Sequence, residues 1–377
     1  MKKITFHVDS QADLLTKIRE AVAGGLKPTL GILFCSVDLG IAETAKALGE
    51  FPFPFFACSS CGEIFTDGDK SRALENSAVV ALLELPAEAF QVKLFDGAGL
   101  DSLALGAAVG KWGKGVFASP AFLLAVSGIK RDGEQVVHGL LGEFAGQVPL
   151  FGGLAGDDAK FKETFAFTNS QLTSDGAVAV VLDNDKILVD GLATSGWVGL
   201  GAPKTVTSAE GNVVFSIDGA PALDTYKKYL DIRDVDLPGI GMEYPLQVLR
   251  DDGTHVLRAV VGVDYDRHAL IFAGAVPQGA QVKFSSSPGF ETVDHARRDF
   301  ETFAKAGGPP PDLMIFFSCI ARHAALGPMV EDEIRSAQRI WNAPGLGFFT
   351  YGEIGKNLVG RCDFYNETCA LVLLRVK

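Results

Sequence analysis

A chain of 377 residues with 47% hydrophobic content and 43 glycines can build two or more domains with substantial cores, which excludes a disordered polypeptide. Its formal net charge of −12 argues against a general nucleic-acid binder, which needs a basic face to displace counterions from phosphate, and against an anionic membrane surface. Six cysteines in this length do not make a disulfide scaffold, and most sit in apolar strand-like segments, as in a reduced compartment. The N-terminus carries no long apolar run of the secretory type, and the longest run, residues 313–321, is about half of the ~20 residues a membrane helix needs. The expected location is the cytoplasm.

In chain order, Ile4-Thr-Phe-His-Val-Asp9 predicts a strand, residues 14–23 a helix, and Gly31-Ile-Leu-Phe-Cys-Ser36 an apolar strand ending in small residues. After a second helix come Phe55-Phe-Ala-Cys-Ser-Ser-Cys-Gly-Glu63 and a closing strand, Ser77-Ala-Val-Val-Ala-Leu-Leu83. The same order recurs in Gln91-Val-Lys-Leu-Phe-Asp96, Ala121-Phe-Leu-Leu-Ala-Val-Ser127, Leu150-Phe-Gly-Gly-Leu-Ala-Gly-Asp-Asp158 and Gly176-Ala-Val-Ala-Val-Val-Leu182. A segment of different character follows. Its Gly/Pro-rich start, residues 191–203, reads as a crossover between lobes in which Trp197 packs. Strands are expected at Asn212-Val-Val-Phe-Ser-Ile-Asp-Gly219, 256–263 and 270–276, a helix over 221–230, and a hairpin turn at Asp251-Asp-Gly253. A third pass opens at Gln281-Val-Lys-Phe-Ser285, has a helix over 292–306 and a break at Pro309-Pro-Pro311, and continues through Leu313-Met-Ile-Phe-Phe-Ser-Cys319, Gly347-Phe-Phe-Thr-Tyr-Gly-Glu353 and Thr368-Cys-Ala-Leu-Val-Leu-Leu374.

Self-similarity of this length describes how a chain is assembled. The reading is an α/β protein of duplicated β-α-β-α-β-β units forming mixed sheets flanked by helices. The expected domains are 1–190, with repeats at about 1–88 and 89–185, and 191–377, with a strand-rich segment over about 191–280 and a third repeat over about 281–377. Ligands of open α/β sheets commonly lie beyond the carboxyl ends of strands, here Cys35-Ser36, Ser127 and Ser318-Cys319.

Phe317-Ser-Cys-Ile-Ala-Arg322, Gly347-Phe-Phe-Thr-Tyr-Gly-Glu-Ile354 and Asn366-Glu-Thr368 resemble the C-terminal half of the FIST sensory family, as do Thr194-Ser-Gly-Trp197, Ile217-Asp-Gly-Ala-Pro-Ala-Leu223 and Ala273-Gly-Ala-Val-Pro-Gln-Gly279. Ala57-Cys-Ser-Ser-Cys-Gly-Glu-Ile64 and Phe151-Gly-Gly-Leu-Ala-Gly-Asp-Asp158 resemble its N-terminal half, so the likeness covers essentially the whole chain. The resemblance implies a bacterial, non-enzymatic module that binds a small ligand and works beside signalling domains, with amino acids among the ligands proposed for the family. It also implies a haem reading, because some stand-alone members bind haem, sense nitric oxide and regulate a histidine kinase or a cyclic-diguanylate enzyme. An amino-acid-like ligand without haem is the alternative, a Cys-dependent enzyme a further one, and a homodimer is left open.

The candidate ligand-binding residues are Arg322, Tyr351, Glu353, Cys319 and Ser318. Arg322 follows an apolar strand, where a guanidinium can hold a carboxylate through two parallel bonds; an internal Arg322–Glu353 pair that locks the turn is the structural alternative. His323 is the candidate axial haem ligand, although His7, His138, His255, His268 and His295 offer the same chemistry. Cys58-Ser-Ser-Cys61 is formally a C-x-x-C pair, but the Gly62-Glu63 turn does not open a helix that would stabilise a thiolate, and no second pair completes a zinc site. Gly152-Gly-Leu-Ala-Gly-Asp-Asp158 lacks the Gly-Lys-Ser/Thr ending of a phosphate loop, and Asp157 and Asp158 are expected to cap backbone amides. No strong catalytic signature is present; Cys319 near His323 is the one imitation of a Cys–His nucleophile pair.

Overall fold

The computed structural model describes residues 1–377. Three six-stranded mixed sheets share one strand order. In the first, the outer strand Lys3–Val8 is followed by Ala78–Leu83, Leu30–Cys35 and Phe55–Ser59, the last two parallel. In the second the corresponding strands are Phe90–Asp96, Gly176–Asp183, Pro120–Val126 and Leu150–Leu154. In the third they are Ile187–Thr194, Cys369–Val376, Leu313–Cys319 and Gly345–Thr350.

Each sheet is completed by a hairpin from another. Glu63–Asp67 and Lys70–Leu74 leave the first sheet and join the third, Glu353–Lys356 and Cys362–Tyr365 leave the third and join the second, and Ala166–Phe167 with Leu172–Thr173 extend the first. This cyclic exchange protects one edge of every sheet, where unpaired backbone would otherwise face solvent.

Side-chain alternation along the strands divides the core into layers. Ile32, Phe34, Leu123, Phe151, Phe317 and Phe348 point inward to a shared centre, where the Phe34 ring lies 4.6 Å from that of Phe348 and 6.0 Å from that of Phe317. The opposite faces pack on helices: Gln11–Ala23 and Ile41–Leu48 on the first sheet, Ser102–Val116 and Gly133–Gly142 on the second, Phe290–Lys305 and Val330–Trp341 on the third. Ser10, Asp101 and Asp132 cap three of these helices by accepting from the amides of Asp13, Ala104 and Gln135.

The two helices of the second sheet meet through bare backbone: a Cβ on Gly139 would lie 2.0 Å from the Leu103 carbonyl oxygen, and one on Gly106 would lie 2.0 Å from that of Val136. Gly139→Val should therefore force the helices apart and cost about 1–3 kcal/mol, read as a lower urea midpoint with an unchanged slope.

A fourth, antiparallel sheet contains the 13-residue strand Val198–Glu210, flanked by Gln281–Ser286 and Val213–Ile217. Two sequence readings are corrected here. Residues 191–203, read as a crossover in which Trp197 packs, are mostly strand, because Ile187–Thr194 and Val198–Glu210 occupy most of them. Gln281–Ser286 does not open the third unit: it pairs with Val198–Glu210 and Leu246–Leu249, while the outer strand of the third sheet is Ile187–Thr194, in eight-residue register with Cys369–Val376. The strand-rich segment is thus inserted between an outer strand and its helix.

Polar clamps seat this fourth sheet on the others. Arg258, fully buried, donates to Glu134 at 2.9 Å and to the Phe364 carbonyl at 3.2 Å, and Glu134 also accepts from the Ala275 amide at 2.7 Å. Arg250 pairs with Asp363 at 2.7 Å. No helix is long and apolar enough to cross a membrane.

Candidate functional site

The carboxyl ends of the parallel strands meet, and their glycine turns bond to one another. The Gly156 amide donates to the Ser59 carbonyl (3.0 Å), that of Cys61 to Phe349 (2.9 Å), that of Tyr351 to Leu154 (3.1 Å) and that of Leu154 to Gly352 (2.8 Å). Gly62, at φ 103, takes a backbone shape that other residues avoid, and a Cβ there would lie 2.9 Å from the Leu74 carbonyl oxygen. These turns weld the sheets together.

Their acidic residues serve that weld. Asp157 accepts from the amides of Phe161, Lys162 and Glu163 and from the Tyr351 hydroxyl, and Asp158 accepts from Ser36 Oγ (2.8 Å) and the Val37 amide (3.2 Å), the capping role expected of this pair. Tyr351 is held at both ends, its ring stacked 4.8 Å from that of Phe161. Glu63 accepts from Ser60 and Ser77; Glu353 accepts from Thr350 (2.5 Å) and from the Thr368 hydroxyl (2.8 Å) and amide (3.2 Å). Burial raises both carboxyl pKa values to about 8 against the pull of these hydrogen bonds, so both are protonated at neutral pH.

Arg322 does not pair with Glu353. After Cys319 the chain turns into the helix Ile320–Leu326, which carries the guanidinium to the helix Val330–Trp341, and it donates to both oxygens of Glu333 at 2.8 and 2.9 Å. Its third donor goes to the Ser195 carbonyl, and the Trp197 ring lies 5.3 Å from its centre. Arg322 and Glu333 are almost completely buried, and all the arginine's donor nitrogens are engaged.

The residue that sequence reasoning missed is Glu367, in the turn between Cys362–Tyr365 and Cys369–Val376. It is fully buried, its backbone is left-handed at φ 57, and neither carboxyl oxygen has a hydrogen-bond partner. Ser318 Oγ and Asn366 Oδ1, at the adjoining strand end and in the same turn, are likewise buried without partners. Burial first, then the neighbouring Glu353, push the Glu367 pKa far above the usual carboxylate range; Arg322 opposes. Asp363 and Phe364, just before this turn, are held by Arg250 and Arg258 of the fourth sheet, and Cys369–Val376, just after it, belongs to the third, so Glu367 lies near where the third sheet meets the fourth.

The remaining candidates are accounted for by packing. His323 stacks on Phe349 with ring centres 4.2 Å apart, and its nearest charges are the carboxylates of Glu75 and Glu331. The stack fixes the plane of the ring, and the acidic neighbours would repel the propionates of a haem. The Cys319 thiol is pushed well above its ordinary pKa by burial and by Glu353 and Glu367, the reverse of what a nucleophile needs. Cys58 faces the central core and Cys61 the helix side of the third sheet, with Cys61 raised to about 11 by burial, so the two thiols do not act as a pair.

Sheets completed by exchanged hairpins, with a buried polar junction under a strand-rich insertion, define a mixed α/β module whose strand-end serines and cysteines are buried. Residues 29–220 match the FIST N domain and residues 222–356 the FIST C domain, and the chain belongs to the FIST family, whose domains are generally small-ligand sensory domains of signalling proteins. An uncharacterized protein of Methanocaldococcus jannaschii is 33% identical over 101 residues, 27% of this chain and 19% of that protein. An uncharacterized protein of Mycobacterium tuberculosis is 23% identical over 233 residues, 59% of this chain and 60% of that protein. The chain thus spans less than two thirds of either relative.

Proposed function

We propose that this protein is a non-enzymatic sensor that binds a small polar ligand at the junction of the third and fourth sheets and passes the signal to a separate protein. The observation that carries the reading is Glu367: a carboxyl group wholly removed from water with neither oxygen bonded. Such a group costs stability in any fold and persists where something else uses it.

The enclosure supplies the mechanism. Because Glu367 is covered, a ligand reaches it when the inserted lobe lifts from the third sheet, and its differential contacts with the opened and closed arrangements set their populations. The clamps Arg258–Glu134, Arg250–Asp363 and Arg322–Ser195 lie along the boundary that would move. A partner that reads this boundary, of the histidine kinase or cyclic-diguanylate class that the family suggests, would sense occupancy without touching the ligand.

A thermal-shift screen of polar metabolites and of haemin, run on the wild type and on Glu367→Gln, tests the proposal. We expect at least one small polar compound to stabilise the wild type and to lose that effect in the variant. Stabilisers that act equally on both proteins would contradict it, as would a saturable haemin effect abolished by His323→Ala.

A further inference from the structure

The buried carboxyl groups differ in one respect that bears on ligand chemistry. Glu63, Glu353 and Glu333 are each bonded to side chains of the protein, whereas Glu367 is not. Arg322, the cation that acts on Glu367, has its Nε and Nη2 on Glu333 and its Nη1 on the Ser195 carbonyl, so its fork is committed to Glu333 and only the second N–H of each Nη group is left over. Neither Glu367 oxygen has a partner; as a neutral acid the group carries one O–H donor, and once ionised both its oxygens only accept. An ionised, unpartnered carboxylate selects a donor.

We propose that the junction binds a small protonated nitrogen base, of the alkylammonium or guanidinium class, through N–H donation to the Glu367 carboxylate, and that the ligand needs no anionic group. The inference rests on the reading of this junction as the ligand site. The turn itself does not demand the glutamate. Before Ser77 in the first sheet, Asn76 takes the same left-handed conformation at φ 51, but there the residue is exposed and of a type that tolerates this backbone. The third sheet keeps a glutamate in that conformation and buries it.

The proton balance is explicit. The raised pKa of Glu367 leaves it as a carboxylic acid when the junction is closed on itself; when the cation binds, the acid ionises, the ion pair forms and one proton leaves to solvent. Affinity should then rise with pH until the acid of the closed junction ionises by itself, while an alkylammonium ligand remains charged.

Isothermal titration of the full chain with propylammonium, guanidinium, propionate and alanine, in buffers of different ionisation enthalpy, tests this on the wild type and Glu367→Gln. The expected result is binding of at least one cation with release of about one proton, weakened about tenfold or more in the variant. Glu367→Asn, whose side chain suits the left-handed backbone, replaces Glu367→Gln if circular dichroism shows the latter unfolded. Failure of both cations to bind overturns the proposal. If propionate, or alanine alone, binds in a Glu367-dependent way, the ligand class is wrong while the site stands; if no binding depends on Glu367, both readings fall.

Discussion

Glu333→Ala is expected to destabilise the protein by about 3–5 kcal/mol, the usual cost of removing one partner from a buried ion pair. The loss would leave the Arg322 guanidinium buried with the Ser195 carbonyl and the face of Trp197 as its contacts, and with Glu367, which makes no hydrogen bond to it, as the remaining acidic group. Urea denaturation measures it. The control is Arg322→Met combined with Glu333→Leu, which removes both charges and fills the space; it should recover most of the loss, because an intact buried pair adds little over well-packed apolar side chains. A small effect of Glu333→Ala would mean that Arg322 is hydrated, and that its donors are open to a ligand after all.

The second large effect is on pH. Glu63 and Glu353 have carboxyl pKa values of about 8 in the folded protein, against 4.5 for the unperturbed group. Between these values the unfolded chain has released protons that the folded chain retains, so stability falls as pH rises from about 4.5 to about 8 and levels off above that. Each group contributes on the order of 3 kcal/mol of this fall by neutral pH. Chemical denaturation at intervals from pH 5 to pH 9 should show it, and Glu63→Gln with Glu353→Gln should make the curve shallower, the remaining slope coming from Glu367, whose pKa burial also raises. A stability that rises over this interval would contradict the assignment of both groups as neutral.

Much of the architecture was legible because it is written in local pattern. The apolar strands at Leu30–Cys35, Pro120–Val126 and Leu313–Cys319, and the glycine turns after their parallel neighbours, follow from hydrophobic runs and turn chemistry. The outer strand of the third sheet was not, since Ile187–Thr194 and Gln281–Ser286 are both short, apolar at alternate positions and able to precede a helix. Only the long-range pairing with Cys369–Val376 separates them. Hairpin exchange between sheets has no local signal for the same reason.

The site was legible in its neighbourhood and not in its contacts. Ser318, Cys319, Arg322 and Glu353 do gather near the carboxyl end of the third sheet's central strand, but the partner of Arg322 is Glu333, one helix further on. Glu367 was visible within Asn366-Glu-Thr368, yet a glutamate in a turn ordinarily faces water. The turn that carries it is covered by contacts with the fourth sheet, whose strands end at Ser286, far back in the chain.

The most direct test of the central claim is hydrogen–deuterium exchange with and without the stabilising compound, followed at Asn366–Cys369 and at Ser195–Trp197. The ligand site proposed here predicts that both segments, on opposite sides of the junction, gain protection together in the wild type and neither does in Glu367→Gln. Protection confined to other parts of the chain, such as the turn around Phe349 and His323, would contradict it.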